Sequence, residues 1–222
     1  MINILVYNEQ ANAMEQYVRE LYEAMPYNTG TNLTVEEFRA RSGSNLIWTT
    51  RRTMEAWNQT RTAFGRAIDV GYAFRRIGEG GHGTQSQHYA GTAFDCAQGM
   101  GSLSRNRLRN LAESLGVWSY VEPAYLTPTW VHLDARIGPP ACFAGYPMVR
   151  QGSRGVYVCV LQDALTAAGI PDVAIDGVFG PGTRAGVVQY QEQNGLLGDG
   201  IVGCVTWTTL TSQVVGIWRE EG

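Results

Sequence analysis

Three histidines occur in the chain, His82, His88 and His132, and two of them sit in runs suited to metal chemistry. In "QSQHYAGTAFD", residues 85–95, His88 precedes Asp95 by seven positions across a bend of small residues. His132 follows in "WVHLD". Two imidazoles and one carboxylate form a zinc ligand set of the catalytic kind, with three protein donors and the fourth position left to water. Gly91 and Ala93 keep the intervening turn compact, which lets His88 and Asp95 come round to one side. His82 lies in the glycine-rich run "GEGGHGTQSQ", residues 78–87, and reads as a loop residue near the mouth of such a site.

Strands and helices must hold these groups. "AIDVGYAF", "GTAFDCA", "VWSYVEP" and "TWVHLDAR" read as strands, and "SRNRLRNLAESL", residues 104–115, as a helix with Leu108, Leu111 and Leu115 inward. Thr34 and Glu37 have capping-box spacing, so a short helix is expected ahead of Phe38. A longer helix is expected over 47–64, with Ile47, Met54, Trp57 and Phe64 near one face, and another over 8–24 from the spacing of Met14, Val18, Leu21 and Tyr22. The expected fold is α+β: a small, mostly antiparallel sheet with helices carrying the metal site, plus a separate C-terminal three-helix domain.

The chain has 222 residues, room for two domains of unequal size, and its 44% hydrophobic content is that of a globular protein. A formal charge of −3 argues against nucleic acid or an anionic membrane as partner. No apolar run is long enough to span a bilayer. The opening "MINILVYNEQ" lacks the basic n-region of a secretory signal. The domains expected are a helical extension at 1–32, a domain carrying the metal candidates at 33–137, a linker at 138–151 and a C-terminal domain at 152–222. The linker lies in the proline-bearing stretch "GPPACFAGYPMVRQGS".

Past the linker, "DGVFGPGT" (176–183) recurs as "DGIVGCVT" (199–206). In each copy Asp-Gly makes a tight turn, an apolar pair points inward and the threonine is placed to cap the next helix. Three helices are expected, at about 155–167, in "RAGVVQYQEQNG" and in "WTTLTSQVVGIW". The four cysteines show no CxxC spacing, which argues against a thiolate zinc site. Cys96 and Cys142 read as buried thiols. Cys159 and Cys204, in the first helix and the turn before the last, could form a bridge.

Residues 152–210, with this repeat, resemble a peptidoglycan-binding domain of the three-helix DGxFGxxT type, with Cys204 where that family usually has proline. "SQHYAGTAFD" and "WVHLDAR" resemble the S-x-H-x-x-G-x-A-x-D and V-H-x-D-x-R motifs of the zinc D-Ala-D-Ala carboxypeptidase family, over about residues 33–137. The resemblance implies zinc held by His88, Asp95 and His132, and cleavage of peptidoglycan stem peptides by a monomeric metallopeptidase acting at the cell wall, outside the cell or in a spore, as a D-Ala-D-Ala carboxypeptidase; the alternatives are an endopeptidase and a zinc-containing wall-binding protein that does not cleave. It also implies an acidic residue three positions before the last histidine, where this chain has Thr129; Glu122 is then the expected general base, with Asp134 the second candidate. The family's substrate-holding arginine is replaced by Ala73, and Arg75, two residues on, is expected to take over its role. Ser86 matches the family's serine and is expected to bond a substrate carboxylate.

Overall fold

A computed structural model describes residues 1–28, 30, 32–142 and 145–217 of the chain. The fold is α+β, with two sheets and six α-helices among the described residues.

The first sheet has the order β2-β1-β3, built from β1 (Ile2–Asn8), β2 (Ala13–Arg19) and β3 (Leu46–Thr50). β1 pairs antiparallel with β2 and parallel with β3. The helix expected over 8–24 does not form; a β-hairpin occupies this stretch. Ile2, Ile4 and Val6 are buried at a spacing of two, and such β-branched residues fit a pleated surface. The Asn8 side-chain oxygen accepts the backbone N–H groups of Gln10 and Ala11, each at 3.1 Å, and so forms the reversal that a continuous helix would have to erase. The helical spacing of Met14, Val18, Leu21 and Tyr22 carried no weight because β2 is only partly buried on either face.

The helix expected over 47–64 divides in two. Residues 46–50 join the sheet as β3, and Thr50 caps α2 (Arg51–Phe64) by accepting the N–H of Thr53 at 3.0 Å. Met54, Trp57 and Phe64 are buried from the helix, whereas Ile47 is buried from the strand. Before them, α1 (Val35–Arg39) begins with the complete Thr34/Glu37 capping box.

The second sheet is antiparallel throughout, in the order β4-β5-β7-β6: β4 (Val70–Tyr72), β5 (Ala93–Cys96), β6 (Tyr120–Val121) and β7 (Val131–Asp134). Helix α3 (Ser102–Leu115) packs beside it and buries Leu108. From α3, the guanidinium of Arg109 donates to the carbonyls of Thr127 and Trp130, which fixes the approach to β7. Trp57 stacks on Phe94 with ring centroids 4.3 Å apart, joining α2 to this sheet.

The C-terminal helices are α4 (Val156–Ala167), α5 (Pro181–Gln193) and α6 (Cys204–Ile217). Gly177 and Gly200 take left-handed φ angles of 71° and 74° at the two repeat turns. A glutamine serves each turn. The Gln162 side-chain nitrogen donates to the Asp176 carboxylate, the Val178 carbonyl and the Thr183 hydroxyl. Gln191 does the same for Asp199, Ile201 and Thr206. The threonines therefore do not cap the following helices as expected; they lie inside α5 and α6 and close these networks. Of each apolar pair the second member, Phe179 or Val202, is buried.

Residues 138–142 and 145–151 are tied down at several points. The Trp207 indole donates to the Pro147 carbonyl at 2.8 Å, Val149 bridges to Val202, and buried Tyr146 donates to the Ser86 carbonyl at 2.7 Å. Cys142 bonds to Cys204, while Cys159 and Cys96 are buried free thiols. The expectations of a Cys142 thiol and of a Cys159–Cys204 bridge are both overturned. Cys159 faces the helix packing from α4, and counting cysteines says nothing about which are neighbours in space. Across the same seam, Arg76 pairs with Asp163 of α4 at 2.6 Å, and Asp163 also accepts the Ile77 N–H at 3.1 Å.

Candidate metal centre

One row of the second sheet supplies most of the site. Tyr72 is paired with Asp95, and Asp95 with His132. The β6–β7 register continues to bring Glu122 opposite His132, whose carbonyl accepts the Glu122 N–H at 3.0 Å. Cross-strand partners share a face, so the four side chains cross the sheet side by side.

His88 reaches this row from the bend before β5. The bend is held by β3 of the other sheet: the Trp48 indole donates to the Tyr89 carbonyl at 2.8 Å, and the Thr49 hydroxyl donates to the Gly91 carbonyl at 2.7 Å. Gly91 has φ +65°, and a Cβ there would stand 2.0 Å from the Trp48 carbonyl oxygen. Glycine is required on both counts, which gives the compact turn a physical cause.

His88 is 2% exposed, with its Nδ1 3.1 Å from the Ala73 carbonyl and its Nε2 3.3 Å from Oδ2 of Asp95. Nδ1 of His132 lies 2.7 Å from Oδ1 of the same carboxylate. Burial pushes the Asp95 carboxyl up, but hydrogen bonds from His132 and then His88 outweigh it and hold the group well below the usual carboxylate range. Burial likewise disfavours charge on His132, and the bond to Asp95 outweighs it, so this imidazole holds a proton more tightly than usual.

His88 and Asp95 fit a metal, whereas His132 lies outside the set of converging donor atoms and contacts the other oxygen of the carboxylate. Zinc bonds of about 2.0–2.1 Å in tetrahedral array put neighbouring donor atoms about 3.3 Å apart. That is the separation of His88 Nε2 from Asp95 Oδ2. The contact of His88 Nδ1 with a backbone carbonyl is the arrangement that orients a ligating imidazole and leaves the other nitrogen free. His82 also reaches the site: its donor atom, with those of His88 and Asp95, lies in a set all within 4.8 Å of one another. Burial, then the nearness of His88, depresses the His82 imidazole to about 3. Its signal in sequence was a histidine within the glycine-rich run six positions before His88.

The remaining candidates take varied places. Glu122 is half-buried on the face of His132, and its charge favours protonated His132. Asp134 is fully buried, and its carboxylate is taken up by the Arg136 side chain and backbone N–H. Arg75 donates its backbone N–H to the His88 carbonyl, and its guanidinium lies over the Tyr72 ring at 5.6 Å. The Ser86 hydroxyl accepts the His88 N–H at 3.3 Å, a local turn contact.

Comparison with known proteins finds one family match and several partial relatives. Residues 154–210 match the family described as "Putative peptidoglycan binding domain". The C-terminal segment belongs to that family. A protein of Kitasatospora aureofaciens, "Uncharacterized protein in bpoA1 3'region", is 41% identical over 88 residues, 36% of this chain and 72% of that protein, and the chain belongs to its family. The zinc D-Ala-D-Ala carboxypeptidase of Streptomyces albus G is 38% identical over 73 residues, 31% of this chain. The match spans 28% of that enzyme's length. Two solved structures are similar in part, each at a TM-score of 0.30. A peptidoglycan-binding protein from Clostridioides difficile, in complex with glutamine hydroxamate, is 37% identical over 32% of this chain and 44% of that one. The SleB N-terminal domain is 33% identical over 33% of this chain and 99% of that one. No helix among the described residues is long and apolar enough to cross a membrane.

Proposed function

We propose that the chain is a zinc metallopeptidase that hydrolyses peptidoglycan stem peptides, in the manner of a D-Ala-D-Ala carboxypeptidase, and is held on the wall polymer by residues 152–222. The observation that carries this reading is the Asp95 carboxylate set between a nitrogen of His88 and a nitrogen of His132, with the far side of His88 placed against a carbonyl. His88, Asp95 and His132 would hold the metal. Zinc in that position supplies a Lewis acid and lowers the pKa of a bound water toward about 7.

The chain's own residues do the rest. Glu122, opposite His132 in the β6–β7 register, would accept a proton from the attacking water and pass it to the departing amine. Asp134 is unsuited because Arg136 already claims its carboxylate. Arg75, whose guanidinium lies over the Tyr72 ring, would hold a carboxylate of the stem peptide. Ser86 braces His88 from the turn and is the second candidate contact for that carboxylate. The C-terminal domain raises the local concentration of substrate without altering the site.

The test is metal content followed by release of D-Ala or of new amines from purified peptidoglycan. The expected result is one equivalent of zinc and release that a chelator abolishes. One equivalent of zinc with no release from several wall preparations would leave a wall-binding metalloprotein and overturn the enzyme assignment. Glu122→Gln is expected to lower kcat by about 10²-fold or more while zinc content is kept; full activity in that variant would remove Glu122 as the base.

A further inference from the structure

His82 is the one imidazole that the proposed zinc site leaves without a task. Its Nε2 is buried and lacks a hydrogen-bond partner among the described residues. Its ring is stacked on His88 at 4.3 Å and meets Tyr72 edge-on at 5.4 Å. The backbone is anchored rather than free: the His82 N–H donates to the Tyr89 hydroxyl, which donates in turn to the His82 carbonyl, both at 3.2 Å. An imidazole nitrogen so placed has lost water and gained nothing in exchange, which native structures rarely tolerate without a ligand.

The distances say what kind of ligand. The donor atoms of His82, His88 and Asp95 lie within 4.8 Å of one another. Four-coordinate zinc needs about 3.3 Å between donors, so a shift of at most about 1.5 Å would bring His82 into contact. The segment that would move is rich in glycine. Gly80 and Gly81 have left-handed φ angles of 59° and 88°, and nothing lies within 4 Å of a Cβ built on Gly83.

We propose that His82 is a fourth protein ligand, so that the metal is held by three imidazoles and one carboxylate and the position needed by water is closed at rest. Opening the site then requires the loop around residues 80–83 to withdraw His82. This inference rests on the metal reading above and adds a ligand to it.

The full-length chain loaded with Co²⁺ tests it. Wild type is expected to give the visible spectrum of four-coordinate cobalt, unchanged by added azide. The His82→Ala variant is expected to bind cobalt about tenfold more weakly or worse, with a spectrum that shifts on adding azide because a position has opened. Equal affinity within twofold, together with identical spectra in both proteins, would overturn the proposal. Zinc-edge X-ray absorption on wild type needs no variant: three imidazoles are expected, and two would overturn it. Failure of wild type to take up cobalt or zinc would overturn the metal reading itself, whereas normal uptake that ignores His82 would overturn this inference alone.

Discussion

Substituting Gly91 by alanine tests whether the site depends on a backbone contact between the two sheets. Gly91 has φ +65°, and its missing Cβ would fall 2.0 Å from the Trp48 carbonyl oxygen and 3.0 Å from the carbonyl carbon. Left-handed backbone costs a non-glycine residue about 1–2 kcal/mol. Forcing an atom into a packed contact adds about 1–3 kcal/mol, and here the neighbour is main chain, which cannot swing aside. Gly91→Ala is therefore expected to destabilise the protein by about 2–5 kcal/mol. Gly65 is the internal control. It ends α2 at φ +75° with nothing within 4 Å of its would-be Cβ, so Gly65→Ala should cost only the about 1–2 kcal/mol backbone part. Urea denaturation of both variants, compared by midpoint at a common slope, reads the difference. Because Gly91 lies between His88 and Asp95, its variant should also bind zinc more weakly, while the Gly65 variant should not. Equal costs in the two variants, or a Gly91 variant with unaltered zinc affinity, would refute the reasoning.

Two further perturbations probe the seam between the N-terminal part and the C-terminal helices. Asp163→Ala leaves the half-buried Arg76, which lies over Trp48 and keeps its bond to Ser44, without its carboxylate; a loss of about 1.5–3 kcal/mol is expected by equilibrium denaturation. Replacing Arg76 by methionine as well should recover part of that loss, because no half-buried charge is then left without a counter-charge. The Cys142→Ser, Cys204→Ser double variant releases a bridge that spans 62 residues, for which chain entropy gives about 4 kcal/mol in the unfolded state. A thermal midpoint indifferent to reductant in wild type would contradict that expectation.

The local signals that were strong in sequence survived into the structure. The Thr34/Glu37 capping box, α3 and its buried Leu108, and the Asp-Gly turns of the repeat depend on neighbours a few residues away, and the chain alone encodes them. The motif "SQHYAGTAFD" carried the spacing that brings His88 and Asp95 together, because a bend through Gly91 is itself local. The N-terminal segment went the other way: a weak helical spacing over 8–24 gave way to strands once β1 had β3 as a parallel partner from about forty residues downstream.

Only tertiary structure decided the rest, because it rests on contacts between distant segments. The row Tyr72–Asp95–His132–Glu122 follows from strand register, and no spacing within one strand reveals its neighbours. The pairing of Cys142 with Cys204 needed the stretch at 138–151 to lie along the C-terminal helices. The networks of Gln162 and Gln191 lie 14 and 8 residues before the turns they hold. His82 gained its meaning in the same way. In sequence it is a loop histidine among glycines; in the fold its Nε2 is buried without a hydrogen-bond partner among the described residues, and its ring lies on that of His88.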